Sequence, residues 1–406
     1  MKWLIGIVLV WATAFPLAAQ EFGVRARILA DEVRVSETAG GKGVDIQLAL
    51  SQGVPFRVFT LDDPVRVVMD FQEVDWSGLE SGQLESRDLV TQAQFGTYVP
   101  GWSRLVLKLA NPVAVEAAAL TVDQMTSEAV LSVALRETSA AQFASNAGAP
   151  RDPRWDLPEP ESLTPNGERD PEAPMHIVLD AGHGGIDPGA EIGAVVEKEL
   201  MLTFARELRD VLLRSGGFEV TLIRDGDNFV SLERRVALAH RAGADAFLSL
   251  HADILSQGLA HGATVYVLSE EASDVASAKL AERHDRADLL AGVDLTETDD
   301  SVTDILLDLA RQETRPRTLL MAQELVDAMT QVGGPMNRRP MRKAGFSVLK
   351  SADIPSVLIE LGFMSSPRDL TNLTDPEWRL GMAEAIRNGL VNWREEEAAI
   401  RPLVRQ

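Results

Sequence analysis

Residues 176–200 read HIVLDAGHGGIDPGAEIGAVVEKEL, and this stretch decides how the second half of the chain folds. An apolar run ends at Asp180 and a Gly-rich turn presents His183. Glu197 then opens a segment in which Leu200, Phe204, Leu208 and Leu212 fall on one helical stripe. Ser215-Gly216-Gly217 supplies the stop signal. Further strands are predicted over 218–223, 246–250, 263–268 and 356–361, and further helices over 232–242, 317–332 and about 377–396. Alternating strands and helices predict an α/β domain, a mainly parallel twisted sheet flanked by helices. In such sheets ligands gather beyond the carboxyl ends of the strands.

Four chemistry-bearing residues fall at those ends. His183 follows the first strand, Glu197 follows the loop after it, His251 closes the third strand in SLHAD, and Glu360 closes the last in SVLIELGF. A catalytic zinc takes three protein ligands of His and carboxylate type and keeps one position open. His183, Glu197 and His251 suit that set. Such a metal lowers the pKa of its water to about 7 and polarises a carbonyl. A further carboxylate is then needed to move a proton to the leaving amine, and Glu360 fits that role. Asp180 and Asp187 are close enough in sequence to orient His183 or to stabilise the Gly-rich turn. His176 and His240 read as packing or surface residues, His261 either lines the site or is structural, and Arg234 reads as an ion-pairing residue.

Composition narrows the function classes. The 406 residues are enough for two domains, and with no cysteine any metal must be held by His and carboxylates. A formal charge of −22 argues against a nucleic-acid partner. Residues 1–19 combine Lys2, an apolar run and a small-residue end at Leu17-Ala18-Ala19, the pattern of a cleaved signal peptide. No later segment is apolar enough to span a membrane, so an exported mature protein is expected.

Residues 24–136 show short alternating strands separated by turn signals, such as PVRVVMDF at 64–71 and FGTYVPGWSRLVLKL at 95–109. They predict an all-β sandwich domain. Arg66, Asp70 and Arg104 read as strand-face residues with structural partners. Residues 137–174 turn to Ala, Pro, Ser and acidic residues and read as a flexible linker that lets two domains act at separate places.

The two segments of the sandwich resemble the AMIN domain found ahead of periplasmic cell-wall amidases and secretins. LDAGHGGIDPGA followed by EKEL, SLHAD and PSVLIELGFMSS, in that order, resembles the zinc-dependent N-acetylmuramoyl-L-alanine amidases over residues 175–393. The resemblance implies an α/β catalytic domain, zinc ligands at His183, Glu197 and His251, and a catalytic glutamate at Glu360. The implied reaction is hydrolysis of the amide between N-acetylmuramic acid and L-alanine in peptidoglycan, in the periplasm. Residues 269–317 form an acidic block that resembles the regulatory insertion of the cell-division amidases. There a helix lies over the zinc cleft until an activator with a LytM-type domain displaces it. The matching stretch LAERHDRADLL offers Glu282, His284 and Asp285 as plugging residues, with Val302, Ile305, Leu306 and Leu309 as a docking face for the activator. Two rival readings remain open: a non-catalytic cell-wall binding protein, and a zinc peptidase cutting elsewhere in the stem peptide.

Overall fold

The structure, a computed structural model, describes residues 25–404 apart from 39–41, 73, 100, 124, 151–172, 256–260, 291–303, 333 and 352. The expected signal peptide, most of the expected linker and Val302 lie outside the described residues, as do the side chains of Ile305, Leu306 and Leu309.

Ten strands build the first domain: β1 (Ala26–Arg27), β2 (Arg34–Glu37), β3 (Gly43–Leu50), β4 (Phe56–Leu61), β5 (Arg66–Gln72), β6 (Val74–Asp75), β7 (Val90–Val99), β8 (Trp102–Leu109), β9 (Val113–Val122) and β10 (Ala129–Glu137). They make two antiparallel sheets, ordered β2-β3-β10-β9 and β4-β5-β8-β7, with β1 and β6 pairing apart from both. Side chains alternate between the two faces of a strand. Val67, Met69 and Phe71 of β5 and Leu105 and Leu107 of β8 therefore face inward, meeting Ile46, Leu48, Leu131 and Val133 of the other sheet. The sandwich read from the sequence is the one observed.

Two features of this domain depart from the sequence reading. Helix α1 (Ala140–Asn146) lies inside the segment read as linker, with the Ser139 hydroxyl accepting from the Gln142 amide at its start and Phe143 buried. One apolar helical residue among alanines and serines is too faint a pattern to stand out. β5 is also buried on both faces, because the outer face of its sheet packs on the second domain. Linker composition reveals only that the linker builds no core. It says nothing of what the flanking domains do with their outer faces.

The second domain comprises β11 (Met175–Ala181), β12 (Glu191–Ile192), β13 (Val195–Val196), α2 (Glu197–Ser215), β14 (Phe218–Leu222), α3 (Leu232–Ala242), β15 (Ala246–His251), β16 (Ala263–Leu268), α4 (Val275–Leu290), α5 (Asp304–Gln331), β17 (Met336–Ala344), β18 (Ser356–Glu360), α6 (Pro367–Thr374) and α7 (Pro376–Val404). Its sheet runs β14-β11-β15-β18-β16-β17, parallel between neighbours except where β16 meets β18. One face is covered by α2, α5 and α7, through Leu208, Leu325, Leu390 and Trp393 packed on Ile177, Leu179 and Leu248. On the other face Ala239 of α3 and Leu280 of α4 join Val178, Phe247, Tyr266 and Leu358. All five predicted strands are present. β17 escaped the sequence reading because MNRRPMRKA is basic and contains Pro340. It is an edge strand, where a missing N–H is tolerated. Among the described residues no helix is long and apolar enough to cross a membrane.

Candidate metal centre

Parallel strands β11, β15 and β18 end side by side, and their register sets His251 directly opposite Glu360. The chain leaves β11 through Gly182, where an added Cβ would lie 2.2 Å from the His251 ring, so only glycine lets the two segments approach. His183 follows with φ at +60°. A non-glycine residue pays roughly 1–3 kcal/mol for such a conformation, which persists only where its surroundings over-determine it. Here two buried arginines do so. Arg224 donates to the carbonyls of Ala181 and Gly182 at 2.9 Å each, and Arg235 donates to those of Ala181 at 3.1 Å and His183 at 2.9 Å. Arg235 is held in turn by Asp180 at 2.5 Å, which also accepts from Ser249 at 2.7 Å.

His183 Nδ1 lies 2.7 Å from Asp187 Oδ2, so the pair orients the ring and turns Nε2 inward. That nitrogen is buried with no hydrogen-bond partner, 3.3 Å from Glu197 Oε2. Glu197, at the first turn of α2, is fully buried; it accepts from the amides of Ala190 at 2.9 Å and Ala252 at 2.8 Å, and His251 Nδ1 lies 3.3 Å away. One ligand atom from each of His183, Glu197 and His251 falls within 4.8 Å of the others. A buried inward nitrogen without a partner, beside a buried carboxylate and a second imidazole, is what a divalent cation of borderline softness fits.

Neighbouring charges shift every member of this cluster. Burial opposes charge on His183, but Asp187 and Glu197 outweigh it and hold its pKa well above the usual range. Burial likewise opposes charge on Glu197, but the two histidines keep its pKa well below the carboxylate range. His251 is pushed down to about 4, by burial first and then by repulsion from His284 and His183. A neutral imidazole is the form that ligates a metal. Glu360 moves the other way: burial, then the charges of Glu197 and Asp253, raise it well above its ordinary value. Its Oε2 accepts from the Asp253 amide at 3.1 Å, while Oε1 is buried without a partner.

Of the residues offered as plugs, α4 brings one into the site. His284 is buried, its ring centroid 4.2 Å from that of His251 and 5.7 Å from that of His183. Its Nε2 lies 3.7 Å from Glu360 Oε1 and 3.7 Å from Asp253 Oδ2. Glu282 is exposed, and Asp285 accepts from the Ser347 amide at 2.9 Å, which anchors the helix instead. Arg283 ties the same helix to Asp253 at 2.8 Å. Asp180, His183, Asp187, Phe229, His251 and His284 line a small pocket of about 20 Å³.

Elsewhere, His176 contacts Thr221 at 2.8 Å, His240 contacts Ser351 at 3.1 Å and His261 contacts Arg368 at 3.1 Å, all apart from this cluster. Arg66 and Arg104 have structural partners as expected, Arg104 pairing with Asp70 at 2.5 Å. The sequence reading assigned ion pairing to Arg234, but the neighbouring Arg235 makes the buried pair. Its place one helical turn before buried Ala239 was the available signal, since a basic residue on an apolar face needs a partner. Asp253 was also missed, although it sits in the quoted SLHAD.

Residues 177–392 match the family profile described as N-acetylmuramoyl-L-alanine amidase, and residues 32–135 match the AMIN domain. N-acetylmuramoyl-L-alanine amidase AmiA of Escherichia coli K12 is 37% identical over 238 residues, 57% of this chain and 81% of that protein. AmiC of Escherichia coli O6:H1 is 29% identical over 356 residues, 82% of each chain. Among solved structures, the amidase AmiC2 of Nostoc punctiforme aligns with a TM-score of 0.40 at 27% identity, covering 55% of this chain and 99% of that one. The chain thus belongs to the N-acetylmuramoyl-L-alanine amidase family and carries an AMIN domain ahead of its catalytic domain.

Proposed function

We propose that the chain hydrolyses the amide joining the lactyl group of N-acetylmuramic acid to the L-alanine of the stem peptide, using zinc held by His183, Glu197 and His251. The observation that carries this reading is the convergence of those ligand atoms within 4.8 Å, beside a buried Glu360 whose Oε1 has no partner. Zinc bound there would supply an activated water and polarise the scissile carbonyl. Asp187 keeps His183 turned toward that position, and Arg224 and Arg235 keep the turn beneath it from relaxing. Glu360 would take the proton of the attacking water and pass it to the leaving amine, and the burial and neighbouring carboxylates that raise its pKa suit it to hold that proton between the two steps. The backbone amide of Asp253 fixes the carboxylate through Oε2.

The same reading has the protein exported by residues 1–19 to the periplasm and acting on septal peptidoglycan, with α4 as a brake. The place of His284 supports the brake, because its buried ring lies against that of His251 and beside Glu360 Oε1. His284 closes the side where the substrate carbonyl would need to approach Glu360. An activator with a LytM-type domain would lift the helix.

The test is to incubate the zinc-loaded mature protein lacking residues 272–300 with peptidoglycan and identify the soluble products by mass spectrometry. Intact stem peptides beginning with L-alanine are expected, with far fewer from the full chain and none from Glu360→Ala. Fragments cut within the peptide would replace this reading with a peptidase. No products from a folded, zinc-loaded protein would leave only wall binding.

A further inference from the structure

We infer that the β-sandwich is a positioning element of the metal site: its edge strand β7 and the outer face of its sheet hold the turn of residues 184–186, and through it the ring of His183. The docking stands on geometry alone, whereas its effect on the metal rests on the function proposed above.

The contact begins in the backbone. β7 ends its sheet and so has an unpaired edge, and its Thr97 carbonyl accepts from the Ile186 amide at 3.0 Å. The approach is close enough to exclude side chains: a Cβ on Gly185 would lie 1.9 Å from the Thr97 carbonyl oxygen, and one on Gly96 would lie 2.9 Å from the Ile186 nitrogen. Side chains then seal the contact. Ile186 and Phe229 are 1% and 2% exposed, buried against Phe59, Val68 and Val106 of the sandwich. The Tyr98 ring stacks on Phe229 with centroids 5.6 Å apart, and its other partner is the Arg104 guanidinium, 3.6 Å from the ring centre and paired with Asp70.

The turn transmits whatever happens at this contact. Gly184 and Asp187 exchange backbone hydrogen bonds of 2.8 and 3.1 Å, so residues 184–187 form a closed unit. Ile186 is one member of that unit and Asp187, the partner of His183 Nδ1, is the next. Releasing Ile186 from Thr97 and from its apolar pocket frees Asp187 to move, and His183 with it. Groups that orient a ligating histidine set metal affinity to the extent of 10–100-fold. Linkage makes the effect reciprocal, so metal binding must favour docking by the same factor.

The test uses the intact chain with Val106→Asp, which places a carboxylate in the apolar contact but outside the sandwich core. Two quantities are measured: hydrogen exchange at the Ile186 amide, and zinc affinity by competition with a chromogenic chelator. Exchange is expected to accelerate at least tenfold and affinity to fall 10–100-fold. Circular dichroism establishes that the sandwich remains folded. If it does not, Phe229→Ser disturbs the same contact from the catalytic side. Unchanged exchange at Ile186 in a folded variant overturns the docking. Faster exchange with unchanged zinc affinity overturns the coupling to the metal. A wild-type chain that takes up no zinc overturns the metal reading and the coupling together, while exchange still decides the docking.

Discussion

Glu360 and Arg235 are both buried ionisable side chains, and their replacement separates chemistry from architecture. Glu360→Gln keeps the shape of the side chain but can neither take up nor release a proton, so hydrolysis should fall by about 10²–10⁴-fold. Zinc content, measured by mass spectrometry of the metal, should stay at one per chain, because the proposed ligands are His183, Glu197 and His251; loss of zinc from this variant would make Glu360 a ligand instead. Arg235→Met leaves Asp180, fully buried, with the Ser249 hydroxyl as its hydrogen-bond donor and deprives the His183 turn of two bonds. Stranding a buried charge costs about 3–5 kcal/mol. The urea midpoint should drop accordingly, and an unmoved midpoint would mean that Arg224 alone holds the turn. At this scale the sequence was legible where residue type and strand end coincide, as at His183, His251 and Glu360. Choosing between Arg234 and Arg235 needed the helix phase, which one residue of error turns by about 100°.

Among the elements, α4 uses one face for two kinds of contact. Leu280 and Ala281 join the apolar layer with Tyr266 and Phe346, while His284, one turn along, faces the metal ligands. The helix is thus seated by packing and brings one side chain against the candidate ligands. Leu280→Asp should unseat it: removing a buried leucine from the contact loses about 1.5–3 kcal/mol, which raises the open fraction roughly ten- to hundredfold. Basal release of stem peptides should rise by a comparable factor, with no activator present. His284→Ala should raise it too, since it leaves the helix seated but vacates the space beside Glu360. Basal rates equal to wild type in both variants would sink the brake. The insertion itself was legible from an acidic block that interrupts the α/β alternation. Its working residue was not, because Glu282, His284 and Asp285 are adjacent in sequence, and which of them points inward depends on where the helix packs. β17 shows the complementary limit: an edge strand rich in arginine has no apolar period to read.

For the molecule as a whole, both domains were legible, since each has its own period of apolar residues, but their contact was not. Val68, Asp70, Arg104 and Val106 alternate with core residues as any exposed strand face would, and Ile186 and Phe229 sit in loops. Nothing in either stretch names the other. The contact predicts how the protein melts. Zinc at a hundred times its dissociation constant stabilises the state that binds it by about 2.7 kcal/mol. If the catalytic domain melted alone, calorimetry would give two endotherms and only one would move, by roughly 5–10 °C for a unit of that size. Docking through Thr97, Tyr98 and Val106 makes the sandwich part of the zinc-binding state, so part of that stabilisation must appear in its unfolding as well. The expected result is that zinc shifts the entire transition, by fewer degrees because the larger cooperative unit has a larger unfolding entropy, and that Val106→Asp splits it in two. A wild-type sandwich endotherm that ignores zinc would mean the two domains share a surface without sharing a folding equilibrium.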